Sequence, residues 1–70
     1  MIAQETLGLI EKALEGLPAR QRIVVTMRDV QGFSADEVCD LLGLSPGNQR
    51  ILLHRGRAAL RALLEAYYRA

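Results

Sequence analysis

"LLGLSPGNQRILLHRGRAALR", residues 41–61, opens on a glycine and a serine–proline pair and then carries four arginines. Gly43 reads as a helix stop, because glycine takes the left-handed C′ conformation without penalty. Ser45 reads as the cap of a new helix and Pro46 as its first residue, where a missing N–H costs nothing. Beyond Pro46 only Gly56 interrupts a helical pattern that continues to about Tyr68. Just upstream, Ser34 precedes Glu37 by three residues, the spacing of a capping box, so a short helix is expected over Ala35–Leu42. A short helix, a three-residue turn with glycine and a longer helix make a helix-turn-helix spanning about residues 34–61.

Toward the N-terminus the apolar spacing stays helical, and no stretch alternates as a strand would. One helix is expected from about Ala3 to Glu15, with Leu7, Ile10 and Leu14 on one stripe, ended by Gly16. A second is expected from about Pro18 to Val30, burying some of Val24, Val25, Met27 and Val30 before Gln31-Gly32 breaks the chain. The fold class is therefore all-α: residues 1–70 form one small four-helix domain with a C-terminal helix-turn-helix.

Seventy residues, half of them apolar, exclude a disordered segment and allow only a thin core. No apolar run approaches the ~18 residues of a membrane span, and the start MIAQETLG lacks a signal-peptide charge pattern, so a soluble, cytoplasmic chain with no membrane partner is expected. Cys39 is the single cysteine, which rules out an internal disulfide and fits a reducing compartment. It falls where the two helices of the motif cross, and reads as a small, buried structural residue.

Charge is unevenly placed. Residues 1–44 carry four cationic and seven acidic side chains, whereas residues 45–70 carry five arginines against Glu65 alone. A basic end on a mildly acidic body suggests a surface for a polyanion, with a solvated helix face as the plain alternative. Advancing ~100° per residue sorts the last helix into two faces. Leu53, Leu60, Leu64 and Tyr67 form the buried stripe, flanked by Leu63 and by Gly56, whose missing side chain lets another helix approach. Almost opposite stand Gly47, Arg50, Ile51, His54 and Arg55, with Asn48 at the edge, in the turns that a recognition helix offers to base edges. Arginine can grip guanine through two hydrogen bonds, and asparagine can do the same for adenine. Arg57, Arg61 and Arg69 lie further round or further on, placed for phosphates or for solubility. His54, the only histidine, has no serine or cysteine nucleophile matched to it, so no catalytic residue is assigned. No metal site, cofactor or small-molecule ligand is expected.

The ordered set "LPARQR", "MRDVQGFSADEV", "LLGLSPG" and "LHRGRAALR" resembles region 4 of a bacterial sigma factor of the extracytoplasmic-function group, over about residues 17–61. The resemblance implies binding of the −35 promoter element in the major groove, docking on the β flap of RNA polymerase, and capture by anti-sigma factors. It also implies a nucleoid-associated protein of the bacterial cytoplasm. The family's base and phosphate contacts fall on Arg50, Ile51, His54 and Arg55, with a further backbone contact on Arg28. Together with the helical-wheel argument, the expected DNA-binding set is Arg28, Asn48, Arg50, Ile51, His54, Arg55 and Arg57.

The chain departs from the family pattern in places. Gln49 stands where the family usually has valine, in the middle of the buried stripe, so its amide is expected to find hydrogen bonds or the water-exposed rim. Ile51 and Leu52 replace a common serine and arginine, and Ile23 replaces a residue that is commonly charged. These three favour a different reading, a protein-interaction module held by an anti-sigma factor or another regulator. A response-regulator output domain shares the fold but would not need "LPARQR" and "LHRGR".

Overall fold

The computed structural model describes residues 4–69. Four α-helices follow one another: α1 (Gln4–Glu15), α2 (Ala19–Val25), α3 (Ala35–Leu42) and α4 (Pro46–Arg69), and a π-helical turn, Thr26–Val30, extends α2. No strand occurs among the described residues. Ala3, the expected start of α1, lies outside them.

The caps act as their chemistry requires. The Ser34 Oγ accepts from the Glu37 N–H at 3.1 Å, while the Glu37 carboxylate accepts from the Ser34 N–H at 2.9 Å. These bonds hold the Glu37 carboxyl below its ordinary range, the backbone N–H contributing most. At the other end Gly43 sits at φ +66°, and the Leu44 N–H bonds to the Cys39 carbonyl at 3.0 Å. This is the six-to-one bond of a Schellman stop, which turns Leu44 back onto the core. Two residues later the Ser45 Oγ accepts from the Asn48 N–H at 3.1 Å and starts α4.

The core is small. Leu14 from α1, Leu17 from the turn after it, Val24 and Val25 from α2, Val38 from α3 and Leu53 from α4 form one buried cluster. The long helix is the spine against which α1, α2 and α3 all pack. Where α4 crosses α2, Gly56 is buried against Val25 and the Gln21 backbone. Toward its C-terminus α4 lies beside α1, and Lys12 Nζ stands 5.5 Å above the centroid of the Tyr67 ring.

Four expectations need correction. The second helix does not run regularly to Val30: the Gln31 N–H bonds to the Thr26 carbonyl five residues back, at 2.9 Å, and Val30 is exposed. The apolar stripe of α4 is buried only at Leu53 and Gly56, and Leu60, Leu64 and Tyr67 are half-buried, because α1 covers this end of the helix incompletely. Cys39, expected to be buried where α3 and α4 cross, is half-buried. Gln49 keeps 4% of its surface exposed, and its Oε1 meets no donor among the described residues.

Candidate nucleic-acid interface

A two-turn α3, locked at both ends, and the three residues Gly43–Ser45 set where α4 begins. The first turns of α4 are anchored on one side by Gln49 and Leu53, which face the core. Geometry then decides the other side. Arg50 and His54 are four apart, as are Ile51 and Arg55, so the four side chains form two parallel rows on adjacent turns. All four are exposed and together line one shallow, open concavity. Among the described residues no carboxylate lies within ion-pair reach of Arg50 or Arg55, and the one ion pair these residues form is made elsewhere. An arginine without an internal partner keeps its fork of donors free for a ligand. Ile51, 49% exposed, sets an apolar spot among these polar groups.

The other three expected residues stand apart. Asn48 is exposed but lines a separate groove of about 340 Å³ with Ile23, Leu42, Leu52 and Arg20. Arg28 is half-buried in the π-helical turn, where Nη1 donates to the Phe33 carbonyl at 3.2 Å and Nε has no partner among the described residues. Arg57 is engaged with Asp29: its Nε and Nη2 donate to the two carboxylate oxygens at 2.7 and 2.5 Å. Those bonds hold the Asp29 carboxyl below its ordinary value of 3.8 against a smaller opposing effect of burial, with the charges of Arg57 and Arg28 adding to the fall. The same bonds raise Arg57.

Asp29 is therefore a residue that sequence reading missed. It pairs with Arg57 across 28 positions, a distance over which periodicity and capping rules carry no signal. The apolar groove is partly legible in the sequence, where Ile23 and Leu52 stand as apolar residues at positions the family commonly gives to charged ones. In the fold Ile23 is 42% exposed and Leu52 is half-buried.

The remaining chemistry is sparse. Among the described residues no three His, Cys, Asp or Glu side chains gather as metal ligands would. No described helix is long and apolar enough to cross a membrane.

A short braced helix, a glycine turn and a long helix with unpaired cationic groups over its first turns define a helix-turn-helix domain. Residues 7–60 match the family described as sigma-70, region 4, and the chain belongs to that family. Among its relatives, the ECF RNA polymerase sigma factor ShbA of Streptomyces griseus is 42% identical over 55 residues, which cover 79% of this chain and 29% of the relative. The RNA polymerase sigma factor CarQ of Myxococcus xanthus is 42% identical over 52 residues, 74% of this chain and 30% of the relative. The ECF RNA polymerase sigma factor SigM of Mycobacterium tuberculosis is 37% identical over 60 residues, 86% of this chain and 31% of the relative. The chain thus spans less than a third of the length of these curated relatives.

Proposed function

We propose that this domain reads a −35 promoter element by seating the first turns of α4 in the major groove, as one module of a transcription initiation factor. The observation that carries the reading is the set Arg50, Ile51, His54 and Arg55. These side chains are exposed together on one face of a helix whose opposite face is anchored by Leu53 and Gly56. Arg50 and Arg55 are the base-contact candidates and Ile51 suits a thymine methyl. The role is one of binding, with no reaction catalysed by the domain, and its place of action is the bacterial cytoplasm, on nucleoid DNA.

The test is titration of duplexes carrying −35 elements at two salt concentrations. A module that neutralises phosphates loses affinity steeply as salt rises. Arg50→Ala and Arg55→Ala should each cost about 1–3 kcal/mol and relax the base preference. Equal affinity at both salts, or silent variants, would return these arginines to solvent.

The groove of Ile23, Leu42 and Leu52 favours a protein contact as well. It lies off the Arg50–Arg55 face, so a protein such as the β flap of RNA polymerase can dock there while DNA is held. An anti-sigma factor that covers Ile23 and Leu52, and reaches Ile51, would instead exclude DNA. Competition between a captured protein partner and the duplex separates these two arrangements.

A further inference from the structure

The π-helical turn Thr26–Val30 bonds to two later parts of the chain at once. The Met27 carbonyl accepts from the Phe33 N–H at 2.8 Å, and Arg28 Nη1 donates to the Phe33 carbonyl at 3.2 Å. Phe33 is thus held through both of its backbone groups, one residue before the Ser34 cap that starts α3. The neighbouring Asp29 holds α4 through the two-pronged bond to Arg57. One turn therefore sets where α3 begins and grips the middle of α4. π-turns embedded in helices concentrate at functional positions.

Arg57 stands next to Gly56, which packs against Val25 and Gln21 of α2. A glycine contact brings two helices together but offers no side chain to resist rotation about the helix axis. A bidentate guanidinium–carboxylate pair defines a plane and does resist it. Arg57 also follows Arg50 by seven residues, a spacing that leaves the two within ~20° of the same line along the helix. Fixing the azimuth of Arg57 fixes that of Arg50 two turns earlier.

We propose that Asp29 and Arg57 form an orientation clamp, with Arg57 a positioning residue that aims Arg50, Ile51, His54 and Arg55 and does not itself hold a phosphate. The consequence for DNA rests on the promoter-reading function above; the clamp itself does not. It reassigns Arg57, which helical spacing leaves to phosphates or to solubility and which the expected DNA-binding set includes. The rival role predicts opposite behaviour: if Arg57 were a phosphate ligand, Asp29 would be its competitor, and removing Asp29 would strengthen binding.

Asp29→Ala, Arg57→Ala, the double variant and the exchanged pair Asp29→Arg/Arg57→Asp test this by duplex titration across a salt series. Under the clamp, Asp29→Ala and Arg57→Ala each weaken binding by a similar factor, about fivefold. The double variant is no worse than either, the exchanged pair recovers most of the loss, and the slope of log K on log salt is unchanged throughout. Tighter binding by Asp29→Ala, with Arg57→Ala flattening the slope by about 0.9, would overturn the clamp and make Arg57 a phosphate ligand. Amide hydrogen exchange at Gln31 and Phe33 supplies a readout without DNA. Both amides should exchange several-fold faster in Asp29→Ala, and unchanged exchange overturns the clamp. If the unaltered protein binds no −35 duplex at either salt, the promoter reading fails while the exchange result still decides the clamp.

Discussion

A methyl group placed on Gly56 would stand 2.5 Å from Cγ2 of Val25 and 3.3 Å from the Gln21 carbonyl oxygen. Val25 is fully buried and β-branched, so its methyl has no alternative rotamer to retreat into. The gain of up to ~1 kcal/mol that alanine usually brings to a helix interior is outweighed here by overpacking of about 1–3 kcal/mol. Gly56→Ala is expected to destabilise the fold by about 1–2 kcal/mol, lowering the melting temperature by roughly 4–15 °C for a domain of this size. Gly8, inside α1 with nothing within 4 Å of its added methyl, is the control. Gly8→Ala should raise the melting temperature. Thermal unfolding of both variants, followed by circular dichroism, checks the opposite signs.

The parts of the fold that were legible from sequence are those governed by local chemistry. Ser34 with Glu37, Gly43, and Ser45 with Pro46 each act within a few residues, and they placed α3 and the start of α4 correctly. The exposed quartet on α4 was legible for a similar reason, because helical periodicity alone separates Arg50 and Ile51 from Leu53. What escaped is governed by no such local rule. The apolar pattern of Thr26–Val30 is compatible with an α-helix, and only the bond from Gln31 to Thr26 reveals the wider turn. The engagement of Arg57 by Asp29 needs the packed arrangement of α2 against α4. Asn48 is exposed as periodicity requires, yet it opens onto the Ile23 groove, because the turn before α4 carries its first residues toward α2.

Gln49 offers a gain in stability. Its side chain lies between Val38 and Leu53 in sequence order and is buried like them, but its carbonyl oxygen accepts nothing from the described residues. An unsatisfied buried acceptor costs about 1–3 kcal/mol. Methionine has nearly the same length and shape without the amide, and fills irregular core space. Gln49→Met should stabilise the domain by about 1–2 kcal/mol, read as a higher urea midpoint at an unchanged m-value. No gain would mean that the amide is satisfied in solution. Valine, the usual family residue, removes the same penalty but leaves a small cavity and should gain less.

Ile51 distinguishes this chain's recognition face from a purely polar one. A thymine methyl buried against its side chain contributes about 0.8 kcal/mol, the transfer free energy of one carbon. Replacing single thymines of the bound duplex by deoxyuridine removes that methyl without touching any hydrogen bond. At one position of the −35 element the substitution should weaken binding about three- to fourfold. Ile51→Ser should bind the thymine and deoxyuridine duplexes alike. If no thymine position responds in the unaltered protein, Ile51 faces a protein partner.

The Asp29–Arg57 pair gives stability a defined dependence on acid. The folded protein holds the Asp29 carboxyl below 3.8, chiefly through the bonds from Arg57. At neutral pH the carboxylate is ionised whether the chain is folded or not, and the pair contributes its full effect. As pH falls through about 4 the unfolded chain takes up the proton first. Stability is then lost progressively until the folded carboxyl protonates as well. Both side chains are partly exposed, at 33% for Asp29 and 49% for Arg57, so solvent screening limits the effect to about 0.5–1 kcal/mol. Asp29→Asn should therefore be less stable than the unaltered protein by that amount from pH 5 to 7, with the gap closing below pH 4. Glu37 shifts in the same direction but is present in both proteins, so it cancels from the difference. Urea unfolding of the two proteins from pH 7 down to pH 3 reads the gap directly. A gap that stays constant across that range would mean Asp29 acts through packing, with its charge contributing nothing.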